Sequence, residues 1–124
     1  MEQKIKLFGV VGESLSHSFS PRYFNKKFIS EEIKNCQYLP FEVNDASLIP
    51  ALFDKHPNLI GINVTIPFKS SVIPYLQEID TVTAQIGAVN TIVKTQNSAL
   101  KGYNTDIYGF GMSIKPFFES HHER

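Results

Sequence analysis

Strand-like and helix-like apolar patterns alternate along this chain, and that alternation restricts it to an α/β fold. Residues 4–11 are rich in β-branched and aromatic side chains and stop at Gly12, as a first strand does. Ser20 can cap a helix and Pro21 can open it, and the stripe Tyr23, Phe24, Lys27, Phe28 and Ile29 carries that helix to about Asn35. Residues 37–43 read as a second strand. Asp45 can cap a helix over 46–56 with Leu48, Ile49, Leu52 and Phe53 inside, and 59–66 reads as a third strand. Residues 68–77 and 81–87 read as two short helices, the first weakened by Pro74 and the second closed by Gly87. Runs over 88–95 and 99–103 flank Gln96-Asn97-Ser98 as a hairpin, and 106–118 reads as a last helix. The order predicts a three-layer α/β/α fold around a mostly parallel mixed sheet with at least one antiparallel strand, as one domain over 1–124.

Charge and apolar run length exclude several kinds of partner. Twelve basic and twelve acidic residues are interspersed, so there is no electrostatic footprint for nucleic acid. The run Leu7 to Val11 is too short for a signal-peptide core or a membrane span, and the chain reads as cytoplasmic, without a membrane partner. Cys36 is the single cysteine, which rules out an internal disulfide and a cysteine-rich zinc site.

In an open α/β sheet, ligands bind beyond the carboxyl ends of the strands. Gly61-Ile62-Asn63-Val64-Thr65-Ile66-Pro67-Phe68-Lys69 lies at such an end, where Asn63 and Thr65 are two apart and share a face while Val64 and Ile66 take the other. Alone, this stretch also fits a core strand, a proline turn and a solvated lysine. The same edge, however, receives Ser16-His17-Ser18-Phe19-Ser20-Pro21, Gly87-Ala88-Val89-Asn90-Thr91 and Asn104-Thr105-Asp106. Hydroxyls, carboxamides, one cation and one carboxylate suit a small, hydroxyl-rich, neutral-to-anionic ligand. Each residue also has a purely architectural reading: Ser20 and Asp106 as helix caps, Ser18 and Asn90 as turn residues, His17 as a backbone partner.

Nothing in the sequence forms a phosphate cradle. Gly9-Val10-Val11-Gly12 lacks the third glycine of the dinucleotide fingerprint, and no Gly-Lys-Ser/Thr loop exists. His121, His122 and Glu123 are adjacent rather than convergent, so they read as a solvated tail and not as metal ligands.

Taken in order, the segments 12–21, 63–69, 87–91 and 102–109 resemble the successive motifs of shikimate dehydrogenases, across about residues 7 to 111. The resemblance implies the substrate-binding, catalytic N-terminal domain of an enzyme that reversibly reduces 3-dehydroshikimate to shikimate with NADPH, on the route to chorismate and the aromatic amino acids. By motif position, Ser18 and Ser20 bind the substrate carboxylate. Asn63, Thr65, Asn90 and Asp106 hold ring hydroxyls, and Lys69 is the acid/base group with Asp106 beside it. Glu13-Ser14 stands where the family commonly has Asn-Pro. The family continues into an NADP-binding domain, and its C-terminal helices return a glutamine to the substrate. The resemblance therefore implies a chain that holds shikimate or 3-dehydroshikimate but binds no NADP(H) itself. Two other expectations stay open: a non-catalytic module for shikimate-like acids, and a relative that accepts quinate or uses NAD.

Overall fold

A computed structural model describes residues 5–16 and 20–106. Six strands form one sheet, β1 (Lys6–Gly12), β2 (Cys36–Glu42), β3 (Leu59–Val64), β4 (Glu78–Ile79), β5 (Thr91–Lys94) and β6 (Leu100–Tyr103), in the order β2-β1-β3-β5-β6-β4. β1 runs parallel to β2 and β3, and β4 runs parallel to β6, whereas β5 is antiparallel to both β3 and β6. The sheet is thus mostly parallel with β5 reversed, as the alternation predicts.

Helix α1 (Ser20–Ser30) covers one face and α2 (Ile49–Lys55) the other, while α3 (Thr81–Ile86) leads toward β5. The alternation along β1 assigns the faces. Leu7 and Val11 join Ile49, Phe53, Leu59, Val64 and Ile92 in the larger core on the α2 side. Phe8 and Val10 pack with Leu15, Tyr38, Phe24 and Phe28 on the α1 side. Helices on both faces of the sheet make the three layers.

Several boundaries differ from the sequence reading, each for a local reason. α1 stops at Ser30 because Glu32 turns left-handed (φ 55°), and the Ile33 N–H to Phe28 oxygen and Glu32 N–H to Ile29 oxygen bonds, 2.8 and 3.1 Å, close a Schellman motif without glycine. The helix over 46–56 is a 3₁₀ turn, Ala46–Leu48, running into α2, with Asp45 accepting the Ser47 N–H at 2.8 Å. No helix spans 68–77. A single helical bond, Val72 N–H to Phe68 oxygen at 3.1 Å, buries both side chains, and Pro74 confines the next residues to a 3₁₀ turn, Ile73–Tyr75. The two-residue β4 comes next, a strand too short to leave a sequence pattern. β3 ends at Val64, two residues short of the expected end, and Ile66 beyond it is 75% exposed rather than packed like Val64; the Ile66–Pro67 bond is cis. The hairpin strands are shorter than the apolar runs, while Thr81 to Gly87 behaves as predicted, with Gly87 left-handed (φ 79°) at the end of α3. From Ile107 onward, the predicted last helix lies outside the described residues, as do His121, His122 and Glu123.

Candidate active site

The topology brings the polar segments to one edge of the sheet. β1, β3 and β6 end there, and because β5 is reversed, the residue before it, Asn90, lies at the same edge. Backbone bonds fasten the segments together. Thr65 N–H donates to the Val11 oxygen at 3.0 Å, Val64 N–H to the Asn90 oxygen at 2.8 Å and Asn90 N–H to the Tyr103 oxygen at 3.0 Å. Val89 N–H donates to the Lys69 oxygen at 2.7 Å, which sets the half-buried lysine beside the start of β5.

The side chains form one network. The Tyr38 hydroxyl donates to Asn63 Oδ1 at 2.6 Å, Asn63 Nδ2 donates to Thr91 Oγ1 at 3.4 Å, and Thr91 Oγ1 donates to Asn90 Oδ1 at 3.0 Å. Asn90 Oδ1 also accepts the Thr105 N–H at 2.9 Å and the Thr105 hydroxyl at 3.3 Å. A backbone donor can face only the carboxamide oxygen, so the orientation of Asn90 is fixed and its amide nitrogen is left to donate elsewhere.

Asn104 closes the far side. It is buried, its Nδ2 donates to the Ala88 oxygen at 3.0 Å, and its Oδ1 accepts the Asp106 N–H at 3.0 Å. Thr105 and Asp106 are already helical, so Asn104, not Asp106, is the cap. The Asp106 carboxylate is therefore released from capping and exposed in the first helical turn. The hydroxyl of Thr83, a fully buried residue, accepts the Asn104 N–H at 2.8 Å and bonds Asp80, which fixes the approach of α3.

Of the residues predicted to bind ligand, Asn63 and Asn90 are thus joined through one threonine. Thr65 lies at the β1–β3 edge, and Lys69 and Asp106 stand after turns on either side of Asn90. Ser20 opens α1, and Ser18 lies outside the described residues. Tyr38 and Thr91 are not among the predicted residues. Thr91 sits inside the 87–91 motif, but the role of Tyr38 depends on a register that spans β1, with Phe8 opposite Tyr38 and Val10 opposite Asn63.

Among the described residues, the end of β1 does not open into a glycine-rich phosphate loop. Gly12 ends β1, and a Cβ there would meet the Thr65 methyl at 2.5 Å and Leu15 Cδ2 at 2.9 Å. The close approach at this glycine packs it against Thr65 and Leu15.

Residues 10–92 match the family model for the shikimate dehydrogenase substrate binding domain. The chain belongs to that family. A shikimate dehydrogenase (NADP(+)) of Carboxydothermus hydrogenoformans is 46% identical over 77 residues, covering 61% of this chain and 27% of that enzyme. Shikimate dehydrogenase 1 of Peptoclostridium difficile superposes with a TM-score of 0.76 at 39% identity, over 90% of this chain and 41% of that one. The shikimate 5-dehydrogenase of Listeria monocytogenes, solved in complex with shikimate and NAD, gives 0.76 at 30% identity over 94% and 41%. This shikimate dehydrogenase substrate binding domain therefore spans well under half the length of the relatives it matches. No helix among its described residues is long and apolar enough to cross a membrane.

Proposed function

We propose that this domain binds shikimate and 3-dehydroshikimate at the carboxyl edge of its sheet, within an enzyme that interconverts them with NADPH as reductant. The observation that carries the reading is the convergence of Asn63 and Asn90, joined by Thr91, with the Lys69 and Asp106 turns flanking them. Asn90, with its oxygen satisfied inside the protein, offers N–H donors to ligand hydroxyl oxygens, and the Asp106 carboxylate accepts a hydroxyl proton. Thr65 adds a hydroxyl that does either. Ser18 and Ser20, on the segment after β1, take the ligand carboxylate.

Reduction of the ketone leaves an oxygen that develops negative charge and needs a proton. An ammonium beside it supplies both charge and proton, the role we assign to Lys69. Asp106, on the turn at the other side of Asn90, is assigned to the same step. On this reading the described residues serve the substrate, and the chain by itself is expected to show no NADPH oxidation with 3-dehydroshikimate.

The test is kinetic. In the enzyme that carries this domain with its cofactor, Lys69→Ala lowers turnover by roughly 10²- to 10⁴-fold while changing substrate binding far less. Asp106→Asn acts on the same step, so the double variant loses less than the product of the two single losses. Near-normal turnover in Lys69→Ala removes the lysine from the chemistry, and turnover by the purified chain alone contradicts the division of labour.

A further inference from the structure

Resting on that reading of the site, we propose that Tyr38 and Thr91 are positioning residues. Their hydroxyls lock the Asn63 and Asn90 carboxamides with both amide nitrogens available as donors to ligand oxygen.

The atoms determine the orientation. At 2.6 Å, the Tyr38–Asn63 contact is shorter than N–H···O bonds run and typical of O–H···O bonds, so the Asn63 atom facing the phenol is its oxygen. That turns Asn63 Nδ2 toward Thr91, where one of its two N–H groups reaches Oγ1 at 3.4 Å and the other stays uncommitted. Thr91 cannot reverse the polarity, because its own proton goes to Asn90 Oδ1 at 3.0 Å. Asn90 cannot flip either, because the Thr105 N–H must face an oxygen. Every proton in the chain of bonds therefore runs from Tyr38 toward Asn90.

Tyr38 is itself rigidly held. It is 4% exposed, its ring stacks on Phe24 with centroids 4.7 Å apart, and its backbone N–H and carbonyl are both bonded to the Asn25 carboxamide at 2.9 and 2.8 Å. Asn25 lies on α1, so this helix and β2 together fix the point from which the phenol reaches across β1. A ligand then meets two preset donors, and an acceptor in that place need not reorganise either amide. The resulting selectivity is for ligand oxygens that can accept at Asn63 and Asn90. Any hydroxyl proton must go to another group.

The experiment measures shikimate affinity of the whole chain together with the side-chain amide signals of Asn63 in ¹H–¹⁵N spectra. Tyr38→Phe keeps the ring and its stacking, so the fold survives. It should weaken shikimate binding about fivefold, the net value of one hydrogen bond, and shift the Asn63 amide pair in the free protein. Thr91→Val should weaken binding similarly, and Thr91→Ser, which keeps the hydroxyl, should restore it. Tyr38→Phe should add little in an Asn63→Ala background. If Asn63→Ala weakens binding but Tyr38→Phe and Thr91→Val change neither affinity nor the Asn63 signals, the positioning role is overturned. If Asn63→Ala itself leaves affinity unchanged, the reading of the ligand site is overturned and the proposal with it.

Discussion

The two faces of the sheet are built on different terms. On the α2 side, Val11, Ile49, Leu59, Val72, Val89 and Ile92 have no exposed surface, and their cluster is built of apolar side chains. On the α1 side, the buried set among the described residues shrinks to Val10, Leu15 and Tyr38, backed by Phe8, Phe24 and Phe28. Over β1, β3 and β5 it leaves a groove of about 410 Å³ with Asn63 and Thr91 among its lining residues. A dry face can absorb a polar neighbour only at a cost of several kcal/mol, whereas a half-open face can carry carboxamides whose spare N–H groups still reach water or a ligand. On the proposed function, stability thus rests mainly on one face and recognition on the edge of the other.

That contrast is broken or sharpened by substitutions chosen from each side. The largest effect expected is on stability. Ile92→Ala opens a cavity at a fully buried position and should cost about 2–5 kcal/mol in denaturant unfolding, while the folded fraction keeps its shikimate affinity. A loss of affinity in that folded fraction would show that the faces are coupled. Next, Thr83→Val keeps the shape but leaves the buried Asn104 N–H without its acceptor, for a loss of roughly 1–3 kcal/mol in unfolding free energy. Smaller again, Thr65→Val retains the methyl that packs over Gly12 and replaces the hydroxyl with a second methyl. Calorimetric titration should find shikimate binding weaker by about 1 kcal/mol with the melting temperature nearly unchanged.

The smallest effect lies at Asp45, the exposed cap of the 3₁₀ turn that leads into α2. Its carboxylate is held below the ordinary range by the Ser47 N–H it accepts. A depressed pKa contributes stability above the unfolded value and loses it as pH falls through the folded one. Asp45→Asn should therefore lower the neutral plateau of the melting-temperature profile slightly and flatten its acid side.

The elements legible in the sequence are those whose signals are local. Pro21 and the aromatic stripe of α1, Gly87 after α3 and the polar tip of the hairpin all act within a turn of the residues they govern. The expected helix over 68–77 fails because the spacing of Phe68, Val72 and Leu76 only mimics a stripe: one turn buries the first two, and Pro74 prevents a second. The end of α1 is hidden because Glu32 takes the conformation usually left to glycine. In the site, the carboxamides and the lysine stand out by residue type. Tyr38 looks like any strand aromatic, since its hydroxyl acquires a partner only when β2, β1 and β3 are in register. The cap at Asn104 rather than Asp106 is likewise decided by where β6 ends.

The central claim, that the ligand sits on the carboxamide edge and not in the larger core or the apolar groove, is tested most directly by titrating the chain with shikimate and tracking backbone and side-chain amide shifts. Perturbations should concentrate at Asn63, Thr65, Asn90 and Asp106 and on the segment holding Ser18 and Ser20, with weak, millimolar-range saturation. Shifts centred on Phe28 and Val93 in the groove or on Leu52 and Lys55 beside α2, or no saturable shifts at all, would contradict the account.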